Sequence, residues 1–142
     1  MKTIQQLLDA KGREVHTVGP EARVIDALRL MADRDIGALV VTDGTRLAGI
    51  ISERDYARKV ILHGKSSHEI AVREIMTARV VTVQPRHTVE ECMALMTAKR
   101  IRHLPVTEGE RLIGLLSIGD LVKETIAEQQ ATIRQLESYI HS

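Results

Sequence analysis

The residues of this chain best suited to chemistry are two aspartates that occur in the same short motif. The motif reads GIISERD at residues 49–55 and GLLSIGD at residues 114–120. A serine followed three residues later by an acidic residue is typical of a capped helix start, where free N–H groups and the helix dipole favour anions. A carboxylate at such a place can accept hydrogen bonds from the two vicinal hydroxyls of a ribose. Each motif alone fits an ordinary helix start, but two copies favour a pair of nucleoside sites at Asp55 and Asp120.

The two motifs belong to a longer internal repeat. Residues 15–56 align without a gap with residues 80–121, each residue matching the one numbered 65 higher, and roughly two in five positions are identical. The identities include glycines, prolines and polar residues as well as apolar ones. A repeat of this length predicts two copies of one supersecondary unit, because a half of about 55 residues is marginal alone.

Each copy has the sequence pattern β-α-β-β-α. The short extended runs HTV and VTV stop near proline, and apolar residues at helical spacing follow: Val24, Ala27, Leu28, Met31 and Ala32, then Val89, Cys92, Met93 and Met96. Two β-rich runs joined at Asp43-Gly44 and at Glu108-Gly109 then predict tight hairpins. We expect an α/β (α+β) fold in which the repeats pack together about a pseudo-two-fold axis.

Segments outside the repeats complete the predicted organisation. We assign an N-terminal helix to residues 1–14, repeat one to 15–62, a linker to 63–79, repeat two to 80–124 and a C-terminal helical extension to 125–142. A short helix is expected at Thr3 to Lys11 and a helical turn at Val72 to Met76. The last helix carries residues at alternating spacings of four and three, namely Val122, Ile126, Gln129, Ile133, Leu136 and Ile140. This stripe should be buried, either on its own domain or against another subunit.

Composition excludes several classes of function. The 20 basic and 19 acidic residues are spread along the chain, with no basic block to follow a phosphate backbone, so nucleic acid is not expected as a partner. No apolar run is long enough for a signal peptide or a membrane span, so we expect a cytoplasmic protein without membrane attachment. The single cysteine, Cys92, lies in the apolar run CMALM and is interpreted as a core residue. The six histidines show no metal-ligand spacing, and no metal site is expected.

The tandem repeats, their T-V-x-P openings, the IRHLPV run at residues 101–106 and the paired motifs together resemble a pair of CBS domains, also called a Bateman module, of the stand-alone bacterial type. The resemblance covers about Val15 to Leu121. It implies a regulatory module without catalytic activity that binds AMP, ADP or ATP, or else NAD or S-adenosylmethionine, in clefts between the repeats. It also implies a homodimer and a regulated partner protein. No catalytic cofactor is expected.

Carried over by position, the resemblance implies a role for each residue of the two sites. Asp55 and Asp120 would hold the riboses. The residues near ribose or phosphate would be Ser52, Ser117, Arg54, Arg102 and His103. The adenine would lie against the backbone and the aliphatic parts of Val15, His16, Thr17, Val18, Gly37, Ala38, Leu39, Ile50, Val80, Val81, Thr82, Leu104, Pro105 and Leu115. With no Phe or Trp in the chain, aromatic stacking is not expected to hold the base.

The two sites should differ, because Gly37-Ala38 in repeat one stands where Arg102-His103 stands in repeat two. We expect one site with a phosphate clamp of Arg102, His103 and Arg54, and another that is more open or takes a different ligand, such as a dinucleotide. A solvated turn is the simpler interpretation of Arg102 and His103. For the whole chain, a ligand-free dimeric interaction scaffold and an enzyme acting on nucleotides are the alternatives, and the enzyme lacks an evident nucleophile.

Overall fold

The structure is a computed structural model that describes residues 2–141 and contains the predicted mixed α/β repeats. Repeat one contains β1 (Thr17–Val18), α2 (Val24–Arg34), β2 (Ala38–Asp43), β3 (Arg46–Ser52) and α3 (Glu53–Tyr56), which continues as a π-helical turn over Ala57–Ile61. Repeat two contains α4 (Val89–Lys99), β4 (His103–Glu108), β5 (Arg111–Ser117) and α5 (Ile118–His141). Helix α1 (Ile4–Lys11) precedes both repeats, and a 3-10 turn (Val72–Glu74) lies between them.

The sheets differ in the first strand of each repeat. In repeat one, β1 pairs in parallel with β2, and β2 pairs antiparallel with β3. In repeat two the expected strand VTV is reduced to an isolated bridge between Val83 and Val106 beside the β4–β5 hairpin. The reason is chemical: Val40 donates its N–H to the carbonyl of His16, whereas its counterpart Pro105 has no N–H to donate. The predicted short extended segment of repeat two is therefore present, but it pairs over fewer residues than that of repeat one.

Smaller corrections concern the turn and one helix face. Asp43 pairs with Arg46, so the hairpin loop is Gly44-Thr45, one residue later than the sequence suggested, with Gly44 at a φ of 64°. The second hairpin pairs Glu108 with Arg111 in the same way. On α2, Ala32 is exposed and does not join the buried face of the helix.

Each repeat has its own apolar core, and the two cores are completed by segments that cross over. Helix α1 precedes repeat one but packs into the core of repeat two through the buried residues Ile4, Leu7 and Leu8. Its start is held by backbone hydrogen bonds from Ile4 N to His87 O (2.8 Å) and from Val89 N to Lys2 O (3.1 Å). Repeat two therefore depends on residues that lie more than seventy positions earlier in the sequence.

The linker between the repeats completes the core of repeat one in the same way. Val72 and Ile75 are buried among the side chains of α2, β2 and β3, and Val72 N donates to Ala22 O over 2.8 Å.

Close packing against the crossing segments also explains the glycine that begins both motifs, Gly49 in repeat one and Gly114 in repeat two. A methyl group at Gly49 would lie 2.8 Å from the carbonyl oxygen of Thr77, and one at Gly114 would lie 2.8 Å from a methyl carbon of Leu8. At Gly49 a backbone oxygen leaves no room for a larger residue, whereas a larger residue at Gly114 would have to displace the side chain of Leu8.

The last helix, α5, extends beyond the body of the molecule. Its 24 residues span about 36 Å, and from residue 129 onward every described residue is exposed. Side chains of the predicted stripe remain open to solvent, with Ile126 49% and Leu136 58% exposed. Packing of the whole stripe on its own domain is therefore wrong, because the helix has run past the domain before the stripe ends.

Candidate functional site

Two clefts lie between the repeats, and each combines one repeat's capped helix start with the other repeat's opening segment. The first has a volume of about 410 Å³ and is lined by Gly37, Ile50, Ser52, Glu53, Arg54, Asp55, Thr77, Arg79, Val80, Val81, Arg100, Ile101, Arg102 and His103. The second has a volume of about 470 Å³ and is lined by Lys11, Gly12, Glu14, Val15, His16, Asp35, Ile36, Gly37, Ala38, His103, Leu115, Ser117 and Asp120. Both volumes are in the range of small-molecule sites.

In the first cleft, Asp55 is held by the capped start of α3. Its Oδ2 accepts hydrogen bonds from the N–H of Ser52 (2.9 Å) and the hydroxyl of Ser52 (3.0 Å), while Asp55 N donates back to the Ser52 hydroxyl. Oδ1 faces the ammonium of Lys59 at 3.1 Å. Lys59 Nζ also donates to the carbonyl of Ile75. The carboxylate is thus fixed in position at the cleft, with one oxygen held by the helix cap and the other by a half-exposed cation.

Asp120 occupies the matching place in the second cleft but has a different cation. Oδ2 accepts from the N–H of Ser117 (2.8 Å) and from Nζ of Lys11 (2.6 Å). The same ammonium donates to the carbonyl of Leu115 over 2.7 Å. Burial alone would raise the pKa of Asp120, but the hydrogen bonds from Lys11 and Ser117 and the charge of Lys11 lower it below its ordinary value. The Asp120 carboxylate therefore stays ionised at neutral pH.

His103 lines both clefts at the point where they meet. Burial lowers the pKa of its imidazole, and the nearby charges of Lys11 and Arg102 act in the same direction against the opposing charge of Asp120. A histidine with a lowered pKa is mainly uncharged at pH 7. His103 can therefore offer a hydrogen bond to a ligand, while positive charge in the first cleft comes from its arginines.

Four arginines line the first cleft: Arg54, Arg79, Arg100 and Arg102. All four are exposed, and within residues 2–141 none of their guanidinium groups has a hydrogen bond or an ion pair with another side chain. Arg100 ends α4 in a left-handed conformation with a φ of 55°, an uncommon backbone for a non-glycine residue. The structure thus brings Arg54, Arg102 and His103 together, as expected, and adds two arginines that sequence reasoning missed.

The predicted adenine-contacting residues divide into four groups. Ile50, Val80 and Val81 line the first cleft, Val15, His16, Ala38 and Leu115 line the second, and Gly37 lines both. The others line neither cleft: Thr17, Val18, Leu39, Thr82, Leu104 and Pro105. Leu39 and Leu104 are fully buried in the two cores instead.

The remaining candidates for chemistry in the described part of the chain are the thiol of Cys92 and a metal site. Cys92 is fully buried in the core of repeat two, and this burial, with the neighbouring charge of Glu91, raises the pKa of its thiol to about 11. Over residues 2–141 no group of three or more His, Cys, Asp or Glu side chains is placed to hold a metal ion. In the same range no helix is both long enough and apolar enough to cross a membrane.

Comparisons with known proteins agree with the repeat architecture. The family model of the CBS domain matches residues 9–62 and again residues 72–126. A solved signal-transduction protein with CBS domains from Burkholderia ambifaria is 55% identical, with a TM-score of 0.87 over 90% of this chain and 96% of that one.

Two further relatives extend the comparison. The mitochondrial CBS domain-containing protein CBSX3 of Arabidopsis thaliana is 39% identical over 97% of this chain and 71% of its own length. A hexameric CBS-CP12 protein from bloom-forming cyanobacteria is 30% identical, with a TM-score of 0.76 over 86% of this chain and 70% of that one.

Proposed function

The chain belongs to the CBS-domain family as a tandem pair, and we propose that it is a regulatory module that binds an adenine nucleotide in its first cleft. One observation carries the proposal: four arginines that have no hydrogen bond or ion pair with another side chain within residues 2–141 line the same cleft as one capped aspartate. Unpaired guanidinium groups are strong ligands for phosphate, because they form charge-assisted and often bidentate hydrogen bonds. A carboxylate beside them supplies the acceptors that a ribose needs.

The residues suggest how a nucleotide would lie. The aliphatic side chains of Ile50, Val80 and Val81 would cover the adenine, since the described residues that line the cleft include no Phe, Tyr or Trp. The ribose hydroxyls would meet Asp55, sharing its Oδ1 with the half-exposed Lys59. The phosphates would then extend toward the arginines.

Charge distinguishes the possible adenosyl ligands. The first cleft places four arginines against two carboxylates, Glu53 and Asp55. AMP, ADP, ATP and NAD all carry phosphate and would gain from this excess of positive charge. S-adenosylmethionine carries a positive sulfonium and no phosphate, so the cleft disfavours it. We expect ATP and ADP to bind more tightly than AMP, because they present more phosphate oxygens to the arginines.

The position of the cleft suggests how binding would regulate a partner. Each wall comes from a different repeat, so a nucleotide would contact both and favour the relative placement that fits it best. The relative from Burkholderia ambifaria is described as a signal-transduction protein, which agrees with such a role. We propose no catalytic step, since the one thiol is buried with a raised pKa and no activated nucleophile lies at the cleft. The regulated protein would recognise the nucleotide-bound form.

A thermal-shift panel tests the proposal. AMP, ADP, ATP and NAD, each at about 100 times its dissociation constant, should stabilise the fold by about 2.7 kcal/mol, and S-adenosylmethionine should not. The expected order is set by phosphate content, with ATP and ADP effective at the lowest concentrations. If no compound of the panel shifts the melting temperature, the ligand-free scaffold is the better account. Release of a new product from any nucleotide would indicate an enzyme.

We also propose that the chain forms a homodimer through the apolar stripe of α5. The stripe is Val122, Ile126, Gln129, Ile133, Leu136 and Ile140, and a row of exposed isoleucine and leucine side chains is typical of a contact surface. Lys123, Gln130 and Glu137 flank it on one side at intervals of seven. In an antiparallel pair centred on Gln130, Lys123 would lie opposite the partner subunit's Glu137. This charge complementarity favours a second copy of the chain as the occupant.

Light scattering coupled to gel filtration tests the dimer. The wild-type chain should have twice the mass of one chain, and the double substitution Ile133→Glu and Leu136→Glu should convert it to a monomer without loss of helicity. Ser138→Glu, which adds a charge to the opposite face of α5, is the matched control and should remain dimeric. The cyanobacterial relative is hexameric, so the mass itself is informative. An assembly that survives both stripe substitutions would show that another surface holds the subunits together.

A further inference from the structure

The two clefts are built alike but carry opposite charge. Residues of the first cleft have counterparts in the second at positions 65 lower or higher, in the same structural roles. At the positions where the first cleft has arginine, the counterpart is acidic or glycine. The pairs are Arg79 and Glu14, Arg100 and Asp35, Arg102 and Gly37, and Arg54 and Gly119. Because the volumes of about 410 and 470 Å³ are similar, charge and not space distinguishes the clefts.

The residues that end α2 and α4 show how closely the two repeats match, because both adopt a left-handed backbone conformation. Asp35 ends α2 with a φ of 53°, and Arg100 ends α4 with a φ of 55°. Each of these residues lines the cleft next to its helix. The same uncommon backbone therefore presents a guanidinium to one cleft and a carboxylate to the other.

The side chain of Lys11 pairs with Asp120 in the second cleft. Its ammonium lies 2.6 Å from Asp120 Oδ2 and 2.7 Å from the carbonyl oxygen of Leu115. These acceptors correspond by position to Asp55 and to Ile50 of the first cleft. The counterpart of Lys11 is Met76, which carries no charge. The second cleft thus has one lysine that is already paired and three carboxylates, Glu14, Asp35 and Asp120.

We propose that the chain binds one phosphate-bearing ligand in its first cleft only, with Glu14 and Asp35 excluding anions from the second cleft and Lys11 occupying its ribose-binding carboxylate. The nucleotide part of this inference rests on the function proposed above. The exclusion of anions rests only on the charges that line each cleft. Glu14 and Asp35 are the specificity-determining residues, and Lys11 pairs with the carboxylate of Asp120 that a ribose would need.

Substitutions that give one cleft the residues of the other test this inference. The first variant, Lys11→Met with Glu14→Arg and Asp35→Arg, places in the second cleft the residues found at the equivalent positions of the first. The reverse variant, Arg79→Glu with Arg100→Asp, places acidic residues in the first cleft. All five side chains are exposed, and circular dichroism melting confirms that each variant folds. Two probes are used: ATP, and inorganic tripolyphosphate, which has the charge without the nucleoside.

Isothermal titration should give one binding site per wild-type chain and two sites per chain of the first variant. The reverse variant should lose roughly 100-fold or more in affinity for the probe. Amide NMR shifts locate the probe, at Ser52 and Asp55 for the first cleft or at Ser117 and Asp120 for the second. Two sites in the wild type, or shifts at Ser117 and Asp120, would overturn the inference. Binding of tripolyphosphate once, without any preference for ATP, would support it while refuting the nucleotide function. A wild-type chain that binds neither probe refutes both.

Discussion

Replacing Arg100 and Arg102 together by alanine should weaken ATP binding about 100-fold. Each guanidinium lines the first cleft, and neither is paired with another side chain in the described residues 2–141, so its loss removes a charge-assisted contact to phosphate and unpairs no side chain of that range. Such contacts contribute about 1.5–3 kcal/mol each. Since both side chains are exposed and screened by solvent, the lower value applies, and two contacts correspond to about two decades in the dissociation constant.

Calorimetric titration of ATP into the wild type and the variant measures this loss. Arg111→Ala is the matched control, because Arg111 is an exposed arginine of the same repeat that lines neither cleft. The control should bind like the wild type. Equal affinity in all three proteins would mean that Arg100 and Arg102 belong to a solvated turn and do not contact phosphate.

Leu8→Ala should lower the free energy of unfolding by about 2–5 kcal/mol, the range for removing a fully buried leucine side chain. Leu8 is 0% exposed and packs among Val83, Leu116 and the other core residues of repeat two, although it precedes repeat one in sequence. Its side chain also lies close to Gly114, where an added methyl group would be 2.8 Å from a methyl carbon of Leu8.

Urea unfolding followed by circular dichroism measures this effect. Leu62→Ala is the control, since Leu62 is 77% exposed, and its change should stay within about 0.5 kcal/mol. If Leu8→Ala unfolds at the same urea concentration as the wild type, α1 does not form part of the repeat-two core. The same result would remove the physical basis for the position of Lys11, because α1 carries that residue to Asp120.

The sequence repeat was sufficient to predict the order of helices and strands, because period and turn residues agree in both copies. Ser52 and Ser117 cap their helices as the motifs indicated, since a serine with an aspartate three residues later forms reciprocal hydrogen bonds locally. The shortened first strand of repeat two follows from the missing N–H of Pro105. Pro105 is visible in the sequence, and its missing N–H is sufficient to predict this shortening.

The features that the sequence did not reveal depend on contacts between segments that lie far apart in the chain. Local patterns do not say that α1 joins repeat two, that the linker joins repeat one, or that each cleft takes its walls from both repeats. Arg79, Arg100 and Lys11 were missed for this reason. A signal existed nevertheless: extending the alignment to residues 11–14 and 76–79 and comparing charge at each pair would have shown Arg79 opposite Glu14.

A crystal structure of the chain grown with ATP tests the central claim most directly. The account predicts one nucleotide per chain, with its ribose hydroxyls within hydrogen-bonding distance of Asp55 and its phosphates against Arg100 and Arg102, while Lys11 remains bound to Asp120. Nucleotide bound at Asp120 with the first cleft unfilled, or no nucleotide in either cleft at saturating concentration, would contradict it.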